Sequence, residues 1–489
     1  MAKDSDSAAQ TFLGLDLGTT NVKALLVDAR GRVLAGGACP VSVRTLADGS
    51  AEQDIDDIFQ AVLSAVGQIA RQRDLRSVRA VGVSSQGGAV QLLDENEAPV
   101  GPVISWMDTR GAPFDATLTL QFGEQWFTEH VGHGCSGVAI GQLLRLRDQS
   151  PHQLKPPARI GFVGDVIVQR LCGRRAHHST SLSIGLLYNP HLRAADADLL
   201  KLLALDPAQL PALLSARQAA AGLSPDVAAK MSLPAGIPVS SAVHDQYAAA
   251  LGSGACETGD VNFGSGTAWV LLATTNELNR LPTPTAFACD HVVEGRYGLL
   301  LSLGNVGVVF DLAVRTVGLG DRSSADLDEI LLSTPPGCNG VKCWPHVAWP
   351  GASLSETTRQ RLEQLRKSHS PGEIVRSVLE GLSLELARYM DILGSCGCRV
   401  LRLVMSGKAS ASRATRQIIA DTTGLPICVA GEEETSALGA AVLARGLVDD
   451  KSLSQLSAEM TRLRQTVEPS SERAIYQQMF AEYLNLVKP

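Results

Sequence analysis

Residues 13–28, LGLDLGTTNVKALLVD, place an acid and a small hydroxylic turn between two apolar runs. The pattern predicts a β-hairpin whose tip holds Gly18, Thr19 and Thr20. Such a tip offers open backbone N–H groups and small donors that a phosphate can approach closely. Asp16 at its mouth would repel that phosphate unless a cation such as Mg2+ lay between them. An ordinary turn with a solvated Asp16 explains this stretch equally well.

A second acid stands where an apolar run gives way to a run of small residues. In PVSSAVHDQYAAALGSG, Asp245 follows a predicted buried strand and precedes an alanine-rich helix. Catalytic groups in α/β sheets usually lie at the carboxyl ends of strands. There Asp245 could accept the proton of a substrate hydroxyl as that hydroxyl attacks a phosphate. Aspartate is also a preferred helix N-cap residue, and this structural alternative stays open.

A third cluster combines an aromatic ring, an acid and a guanidinium. If ISWMDTRG is extended, Trp106, Asp108 and Arg110 project to one side. Such a face suits a polyol, whose C–H groups pack on aromatic carbon while its hydroxyls need donors and acceptors. An exposed ion-pair loop is the alternative. Gln86, just past the predicted strand in VGVSSQGG, is a further polar candidate.

The hairpin pattern recurs about half a chain later. GDVNFGSGTAWVLLATT, residues 259–275, again sets small residues between two apolar runs. The repetition suggests two halves that each supply one phosphate-binding tip, with a cleft between them. Residues 401–427 read as strand, small-residue turn and helix, which would let a nucleotide's phosphates or ribose approach the helix N-terminus.

Periodicity places these motifs in an α/β protein. Helical spacing covers residues 55–71, 115–127 and 371–393, whereas 80–84 and 239–243 read as buried strands. With 489 residues, the chain is longer than a single hydrophobic core usually supports, so two domains are expected.

Composition excludes several classes of partner. The net charge of −7 argues against nucleic acid, because neutralising many phosphates requires a basic surface. No apolar stretch approaches the roughly 20 residues that a membrane span needs, and the polar start lacks a signal-peptide core, so we expect a cytoplasmic protein that binds no membrane. His130, His133 and Cys135 are close in sequence, but closed zinc sites need four ligands and no second cluster is apparent.

Taken together, the motifs resemble the FGGY carbohydrate kinases. The resemblance runs in the family's order from about residue 12 to 446, through GLDLGTTNVK, ADGSAEQD, VGVSSQG, SWMDTR, HDQ, the second hairpin, SGKASASRATRQIIADTTGLP and EEETSALGAAVLA. It implies an α/β fold of two actin-like ATPase (ribonuclease H-like) domains with an interdomain cleft. Residues 1–250 would form the N-terminal domain with the sugar site and first phosphate hairpin, and 251–489 the nucleotide-binding C-terminal domain.

The resemblance also implies the activity and its residues. The γ-phosphate of MgATP would pass to a hydroxyl of a small sugar, with ATP and Mg2+ as cofactors and, on family grounds alone, a homodimer. Asp245 would be the general base, and Asp16 and Asp245 would hold the metal. The residues expected to contact ATP are Asp16, Gly18, Thr19, Thr20, Lys23, Gly264, Ser265, Gly266, Thr267, Gly407, Lys408, Ala409 and Arg413. Those expected to line the sugar pocket are Gln86, Trp106, Asp108, Arg110 and Gln246.

The chain departs from the family at several positions. Lys408 stands where the nucleotide loop usually has a second glycine, and we expect it to reach a nucleotide phosphate as a point charge. Gly87-Gly88-Ala89 replaces the Met-His-Gly typical of xylulokinases, and PHVAWPGAS (345–353) replaces a Gly-Glu-Arg-x-Pro loop. Gln142 and Arg145 replace an expected lysine and tryptophan.

These departures leave the substrate open. The first expectation is a ketopentose such as xylulose or ribulose, phosphorylated at a terminal hydroxyl. The alternatives are another polyol or sugar acid (glycerol, a tetritol, gluconate or a heptulose) and a degenerate, non-catalytic regulator that binds nucleotide or sugar. An actin-like ATPase of the chaperone kind would not explain SWMDTR or HDQ.

Overall fold

Strands and helices alternate along the chain, as the α/β prediction requires. The computed structural model describes residues 10–278, 280–348 and 356–487. The strands are β1 Thr11–Leu17, β2 Asn21–Asp28, β3 Val33–Pro40, β4 Arg44–Thr45, β5 Ala51–Gln53, β6 Val78–Ser85, β7 Val90–Leu93, β8 Pro99–Ile104, β9 Arg159–Phe162, β10 Ala176–His177, β11 Tyr188–Asn189, β12 Ala194–Ala195, β13 Ala212–Leu213, β14 Ala219–Gly222, β15 Pro238–His244, β16 Asp260–Ser265, β17 Trp269–Thr275, β18 Phe287–Asp290, β19 Tyr297–Gly304, β20 Arg402–Ser406, β21 Ile427–Ala430 and β22 Leu463–Val467.

The helices include all three that the spacing predicts. They are α1 Ile55–Ala70, α2 Ala112–Val131, α3 Ala139–Gln149, α4 Val163–Cys172, α5 Ser179–Ile184, α6 Ala197–Leu203, α7 Pro225–Met231, α8 Asp245–Ser253, α9 Val306–Thr316, α10 Ser324–Ser333, α11 Pro345–Ala348, α12 Glu356–Leu365, α13 Pro371–Ser395, α14 Arg413–Thr423, α15 Thr435–Gly446, α16 Leu453–Met460 and α17 Arg473–Leu486. Part of PHVAWPGAS, residues 349–353, lies outside the described residues. None of the described helices combines the length and the apolar character needed to cross a membrane.

The chain forms two compact units that are not two continuous halves. The first unit comprises the chain up to Thr258 together with two later segments, Thr274–Leu299 and Glu434–Arg462. The second comprises Gly259–Ala273, Leu300–Glu433 and the chain from Leu463 onward. The domain boundary that the resemblance implies at residue 250 stays a prediction.

The main sheet of the first unit brings three strand ends together. Its strands follow the order β13, β10, β15, β6, β1, β2, β3. The predicted hairpin is confirmed, because β1 and β2 pair antiparallel up to Leu17 opposite Val22. Strands β1, β6 and β15 run parallel. Their carboxyl ends therefore meet at one edge, which is where the sequence places Asp16, Gln86 and Asp245.

The second unit repeats this arrangement. β16 and β17 form the predicted second hairpin, with Ser265 opposite Trp269. β16 pairs in parallel with β20, and β20 pairs in parallel with β21. Each unit thus joins an antiparallel hairpin to parallel strands, and each places a small-residue tip at the carboxyl end of its first strand.

Helix α15 lies close against the sheet of the first unit. A Cβ atom on Gly14 of β1 would overlap the carbonyl oxygen of Ala437, and one on Gly82 of β6 would overlap that of Ala440. These glycines therefore allow the helix backbone to approach the sheet. The same packing brings Glu434, at the N-terminus of α15, to Lys23 of β2, with 2.5 Å between Oε2 and Nζ.

Substitution of Gly82 by alanine is expected to destabilise this unit. The added methyl group would have to displace the α15 backbone, and overpacking of this kind costs about 3 kcal/mol at its upper range. Urea unfolding should show a lower midpoint. G67A is the matched control, because a Cβ at Gly67 of α1 would meet only the tip of Arg71, 3.9 Å away. An equal loss in both variants would contradict the packing argument.

Candidate active site

Two carboxylates lie at the carboxyl edge of the first unit's sheet. Asp16 accepts a hydrogen bond from Ser84 Oγ at 2.9 Å. Burial and the charge of Asp245 raise the pKa of Asp16 to about 7, although Ser84 and Lys23 oppose the shift. Burial also raises the pKa of Asp245 to about 6, against hydrogen bonds from Gln246. Burial is thus the main cause of both shifts, and the charge of Asp245 adds to the shift at Asp16.

Asp245 does not cap its helix. β15 ends at His244, which takes the N-cap position of α8, and Asp245 is the first helical residue. The capping alternative is therefore not what the structure shows. The carboxylate of Asp245 is about a quarter exposed and remains available to a substrate hydroxyl.

Lys23 brings a cation to the hairpin. It lies directly across from Asp16 in the β1–β2 register and pairs with Glu434. Both side chains of this pair are about one-third exposed, at 34% and 39%. A phosphate at the hairpin could therefore reach the Lys23 ammonium group.

The hairpin tip is less open than the sequence suggests. The Gly18 N–H donates to the Asn21 carbonyl at 3.0 Å inside the turn. Thr19 Oγ1 donates to Gln86 Oε1 at 3.1 Å, whereas Thr20 is exposed. The N–H of Gly18 and the hydroxyl proton of Thr19 are thus already used, and the exposed hydroxyl of Thr20 is the side-chain donor left at the tip.

The second unit contains a cavity of about 340 Å3 beside its own hairpin tip. Five of the predicted nucleotide residues line it: Ser265, Gly266, Thr267, Lys408 and Ala409. Its apolar wall is formed by Trp269, Val308, Phe310, Val314, Leu319, Leu327, Leu331 and Leu379. Within the described part of the chain, the buried Nε1 of Trp269 has no hydrogen-bond partner. An apolar cavity with a few polar groups fits a nucleotide.

Gly407 allows the turn after β20 to lie close to the tip of the second hairpin. Its φ is +88°, and a Cβ there would lie 3.0 Å from the carbonyl carbon of Ser265. Gly264 stands opposite Ser406 in the parallel pairing of β16 with β20. Lys408, which follows, extends into solvent and pairs with Asp311, with 3.1 Å between Nζ and Oδ2.

The N-terminus of α14 is occupied by a side chain of the protein. Asp328 of α10 accepts hydrogen bonds from Ser412 Oγ at 2.5 Å and from the Arg413 N–H at 2.8 Å. A short 3-10 turn, Lys408–Ala411, also separates β20 from α14. The expected approach of phosphates to this helix end is therefore corrected: a carboxylate already takes the site. The side chain of Arg413 is exposed, and its contact with nucleotide stays a prediction.

Comparison with known proteins identifies the family. The model of the FGGY N-terminal domain matches residues 11–252, and that of the FGGY C-terminal domain matches residues 313–445. The chain belongs to the FGGY family of carbohydrate kinases. It is therefore a carbohydrate kinase, a phosphotransferase, and kinases of this family use ATP, typically with Mg2+.

Relatives of this FGGY kinase act on different acceptors. A xylulose kinase of Escherichia coli (strain K12) is 26% identical over 476 residues, covering 95% of this chain and 96% of the relative. A glycerol kinase of Gloeobacter violaceus is 28% identical over 454 residues, covering 88% and 87%. The crystal structure of xylulose kinase from Rhodospirillum rubrum, 24% identical, covers 98% of both chains with a TM-score of 0.87 and shares the actin-like fold. The family is settled, and the sugar is not.

A residue without an assigned role ties the hairpin to the sugar candidates of this FGGY kinase. The buried side chain of Gln53 donates to the Thr19 carbonyl at 2.9 Å and accepts from Gln86 Nε2 at 3.0 Å. Trp106 Nε1 donates to Thr19 Oγ1 at 3.0 Å. Gln53 belongs to the ADGSAEQD motif, which is part of the resemblance to the family. The motif alone does not indicate which contacts Gln53 makes.

Replacement of Gln53 by leucine is expected to lower both the activity of the FGGY kinase and its stability. The Thr19 carbonyl and the Gln86 amide would lose their buried partner, which costs each about 1–3 kcal/mol. We expect kcat/KM for the sugar to fall about tenfold or more. Gln68 is the matched control: it bonds the Ala38 backbone away from the site, so Q68L should retain activity. Equal activity of both variants would contradict the role of Gln53.

The third sequence cluster is arranged differently from its prediction. β8 ends at Ile104, and the segment that follows is a turn, so the extended reading of ISWMDTRG is wrong. Trp106 is half-exposed, whereas the Asp108 side chain is buried and accepts from the Ala51 N–H, Arg110 and Gln142. Asp108 and Arg110 thus hold the turn, and their direct contact with sugar stays a prediction.

The described residues form no large group of metal-ligating side chains. Across the residues that the structure describes, no three or more His, Cys, Asp or Glu side chains are arranged to hold a metal ion by themselves. His133 Nδ1 instead lies 2.7 Å from the carbonyl oxygen of Cys135. A Mg2+ site built from one or two carboxylates and substrate phosphates does not need a larger protein cluster.

Proposed function

We propose that this FGGY kinase transfers the γ-phosphate of MgATP to a hydroxyl of a small sugar, with Asp245 as general base. The observation that carries the proposal is the carboxylate of Asp245 at the carboxyl end of β15, with its pKa raised to about 6. A base that titrates close to neutral pH is ionised in use and can still take a proton effectively. The acceptor hydroxyl would give its proton to Asp245 as its oxygen attacks phosphorus.

The residues of the first unit fit Mg2+. Asp16 and Asp245 supply hard oxygen ligands, and burial raises the pKa of both, with the charge of Asp245 adding to the shift at Asp16. Bound Mg2+ would neutralise charge on the transferring phosphate. Lys23, released from Glu434 or shared with it, adds a cation for the same phosphate.

ATP is proposed to occupy the cavity of the second unit. Apolar side chains such as Trp269 and Phe310 give the cavity a surface on which a base can pack, and the small residues Gly266 and Thr267 give access to the backbone. Lys408 stands at the same cavity with its ammonium group exposed and paired only loosely with Asp311, because surface ion pairs are weak. A phosphate could therefore take the place of Asp311.

Removal of the Lys408 charge tests this part of the proposal. K408M should raise the Kd for ATP about tenfold, the effect of roughly one charge-assisted contact. D311N should leave ATP binding equal or tighter, because it frees Lys408. K342M is the charge-matched control, since Lys342 pairs with Glu482 elsewhere on the unit. Unchanged or tighter binding by K408G, measured by calorimetry, would show that Lys408 does not serve the nucleotide.

We propose a ketopentose such as xylulose or ribulose as the first acceptor to test. A match across nearly the whole chain to a xylulose kinase supports it, while Gly87-Gly88-Ala89 distinguishes this chain from typical xylulokinases. Glycerol, a tetritol, gluconate or a heptulose are the alternatives within the same class. A non-catalytic regulator is not favoured, because the acids and the cation at the hairpin are all in place. The cytoplasmic location and the homodimer stay predictions.

A substrate panel decides among these acceptors. Sugar-dependent release of ADP from MgATP should be measured with ketoses, aldoses, polyols and sugar acids, using D245A as the control. A strong response to one or two compounds that D245A abolishes would support the proposal and name the acceptor. No response to any compound, with ATP binding intact, would argue for a regulator.

A further inference from the structure

We infer that Tyr476, in helix α17, is a positioning residue that holds helix α10 at the nucleotide cavity of the second unit. The inference rests on the proposed binding of ATP in that cavity, and it adds a side chain that is not among the described residues lining it. Leu327, Asp328 and Leu331 of α10 form part of the cavity wall. The affinity for ATP therefore depends on where α10 lies.

A buried guanidinium group fixes the end of α10. Arg376 of α13 donates from Nη1 to the carbonyl oxygen of Leu331 at 2.6 Å. Leu331 lies in the last turn of α10, where carbonyl groups have no partner within the helix. The Arg376 side chain is only 3% exposed, and a buried carbonyl group without a partner would be costly. Arg376 thus ties a residue of the cavity wall to α13.

The hydroxyl group of Tyr476 completes the hydrogen bonds of Arg376. It accepts from Arg376 Nη2 at 2.9 Å and donates to Oε1 of the buried Glu380 at 3.0 Å. The same Oε1 atom accepts from Arg376 Nε at 3.0 Å. All three nitrogens of the planar guanidinium group are therefore engaged, which fixes the direction in which Nη1 points.

Glu380 also holds the chain that follows α10. Its Oε1 accepts from the Gly337 N–H at 3.1 Å, and its Oε2 accepts from the Cys338 thiol at 3.3 Å. Leu379, the residue before it, lines the cavity. The Tyr476 hydroxyl therefore belongs to a buried group of hydrogen bonds that holds both the end of α10 and the segment after it.

The same two helices contain a second tyrosine–glutamate pair that serves as a matched control. Tyr483 of α17 donates to Oε2 of Glu385 in α13 at 2.7 Å, and both side chains are buried. Glu385 also accepts from Arg388 at 2.6 Å. None of these three residues is among the described residues that line the cavity. Loss of the Tyr483 hydroxyl would remove a buried bond between α13 and α17 without affecting α10.

Y476F is expected to weaken ATP binding without lowering kcat at saturating ATP. Without the hydroxyl group, Arg376 Nη2 loses its acceptor and Glu380 loses a donor, so α10 is in place for a smaller fraction of the time. A fall of that fraction to about one-fifth would raise the Kd for ATP about fivefold, because the apparent affinity falls with the competent fraction. The KM for ATP should rise in the same proportion.

The experiment combines calorimetric titration with ATP and hydrogen exchange of α10 in wild type, Y476F and Y483F. We expect ATP to slow exchange of α10 in wild type. We expect Y476F to exchange faster at α10 and to bind ATP about fivefold more weakly, while Y483F stays within twofold of wild type in both measurements. Equal effects of the two substitutions would overturn the inference, because they would show a general loss of stability.

The outcomes separate this inference from the proposed cavity. ATP that slows exchange of α10 in wild type and binds Y476F with unchanged Kd would overturn the role of Tyr476 alone. ATP that binds wild type without slowing exchange of α10 would overturn the cavity, and the role of Tyr476 with it. R376K, with R388K as its control, replaces Y476F if that variant loses its melting transition. Lysine keeps the charge but lacks the three-sided fork of arginine, so the same fivefold loss is expected and equal losses in both variants would overturn the inference.

Discussion

Asp245→Asn is expected to lower kcat by about 10³-fold while the KM for ATP stays near its wild-type value. A general base contributes about 10²- to 10⁴-fold, and an amide in the same place cannot accept the proton of the sugar hydroxyl. The nucleotide cavity lies on residues of the second unit, so the loss of one of two proposed Mg2+ ligands should change the KM for ATP far less than kcat. Initial rates at saturating sugar and varied ATP measure both quantities.

Asp196 provides a matched control for the Asp245 substitution. It is buried and caps α6 by accepting from the Leu199 N–H at 2.8 Å. D196N should change stability little, because asparagine caps a helix about as well as aspartate, and should leave kcat within a few-fold. A D245N variant that keeps more than a tenth of the wild-type kcat would contradict the assignment of the base.

Asp16→Asn is expected to abolish most activity and yet to stabilise the metal-free protein at alkaline pH. The variant loses a proposed Mg2+ ligand, so we expect kcat/KM to fall at least 10²-fold. It also removes a carboxylate that burial and Asp245 disfavour in its charged form. Such a pairing of lost function with gained stability is typical of groups held in place for chemistry.

The sign of the stability effect follows from the pKa of Asp16. The folded value, about 7, lies above the ordinary value of 3.8. Below about pH 4 both states hold the proton, so the carboxyl costs nothing; as pH rises towards 7 the unfolded chain ionises more readily and stability falls. At pH 8 with a chelator, D16N should unfold with a free energy higher by on the order of 2 kcal/mol. A gain that persists unchanged at pH 4, or no gain at pH 8, would contradict this account.

Local patterns in the sequence predict the framework of the site. Alternating apolar residues around Gly18 and around Gly266 are sufficient to predict both hairpins, and both are confirmed. Asp16 and Asp245 lie at one edge of the sheet because β1 and β15 run parallel and end there, which is a general rule of α/β folds. The sequence therefore located the acids from strand ends alone.

Contacts made across long stretches of chain could not be predicted in this way. Asp328 reaches the start of α14 from a different helix, and Glu434 reaches Lys23 across more than 400 residues. The turn at Asp108 forms because its carboxylate accepts from Ala51 and Gln142, and neither contact appears in the local pattern of ISWMDTRG. The hydrogen bonds of these side chains override the local conformational preference of the backbone. They form only when distant parts of the chain are brought together in the folded protein.

The fit between Gly87 and His244 shows the same limit. Each is visible in the sequence as a single residue, and Gly87 is visible as a departure from a family pattern. Their mutual dependence arises because β6 and β15 pair in parallel and place the two residues side by side. The change at Gly87 is therefore visible in the sequence, whereas its close contact with His244 is not.

The most direct test of the central claim follows the phosphate itself. Wild-type protein and D245N should be incubated with γ-32P-labelled MgATP and the sugar that gives the strongest response in the panel, and the products should be separated and counted. We expect one labelled sugar phosphate for each ADP formed by wild type, and almost none with D245N. ADP accompanied by labelled inorganic phosphate instead of sugar phosphate, or undiminished transfer by D245N, would contradict it.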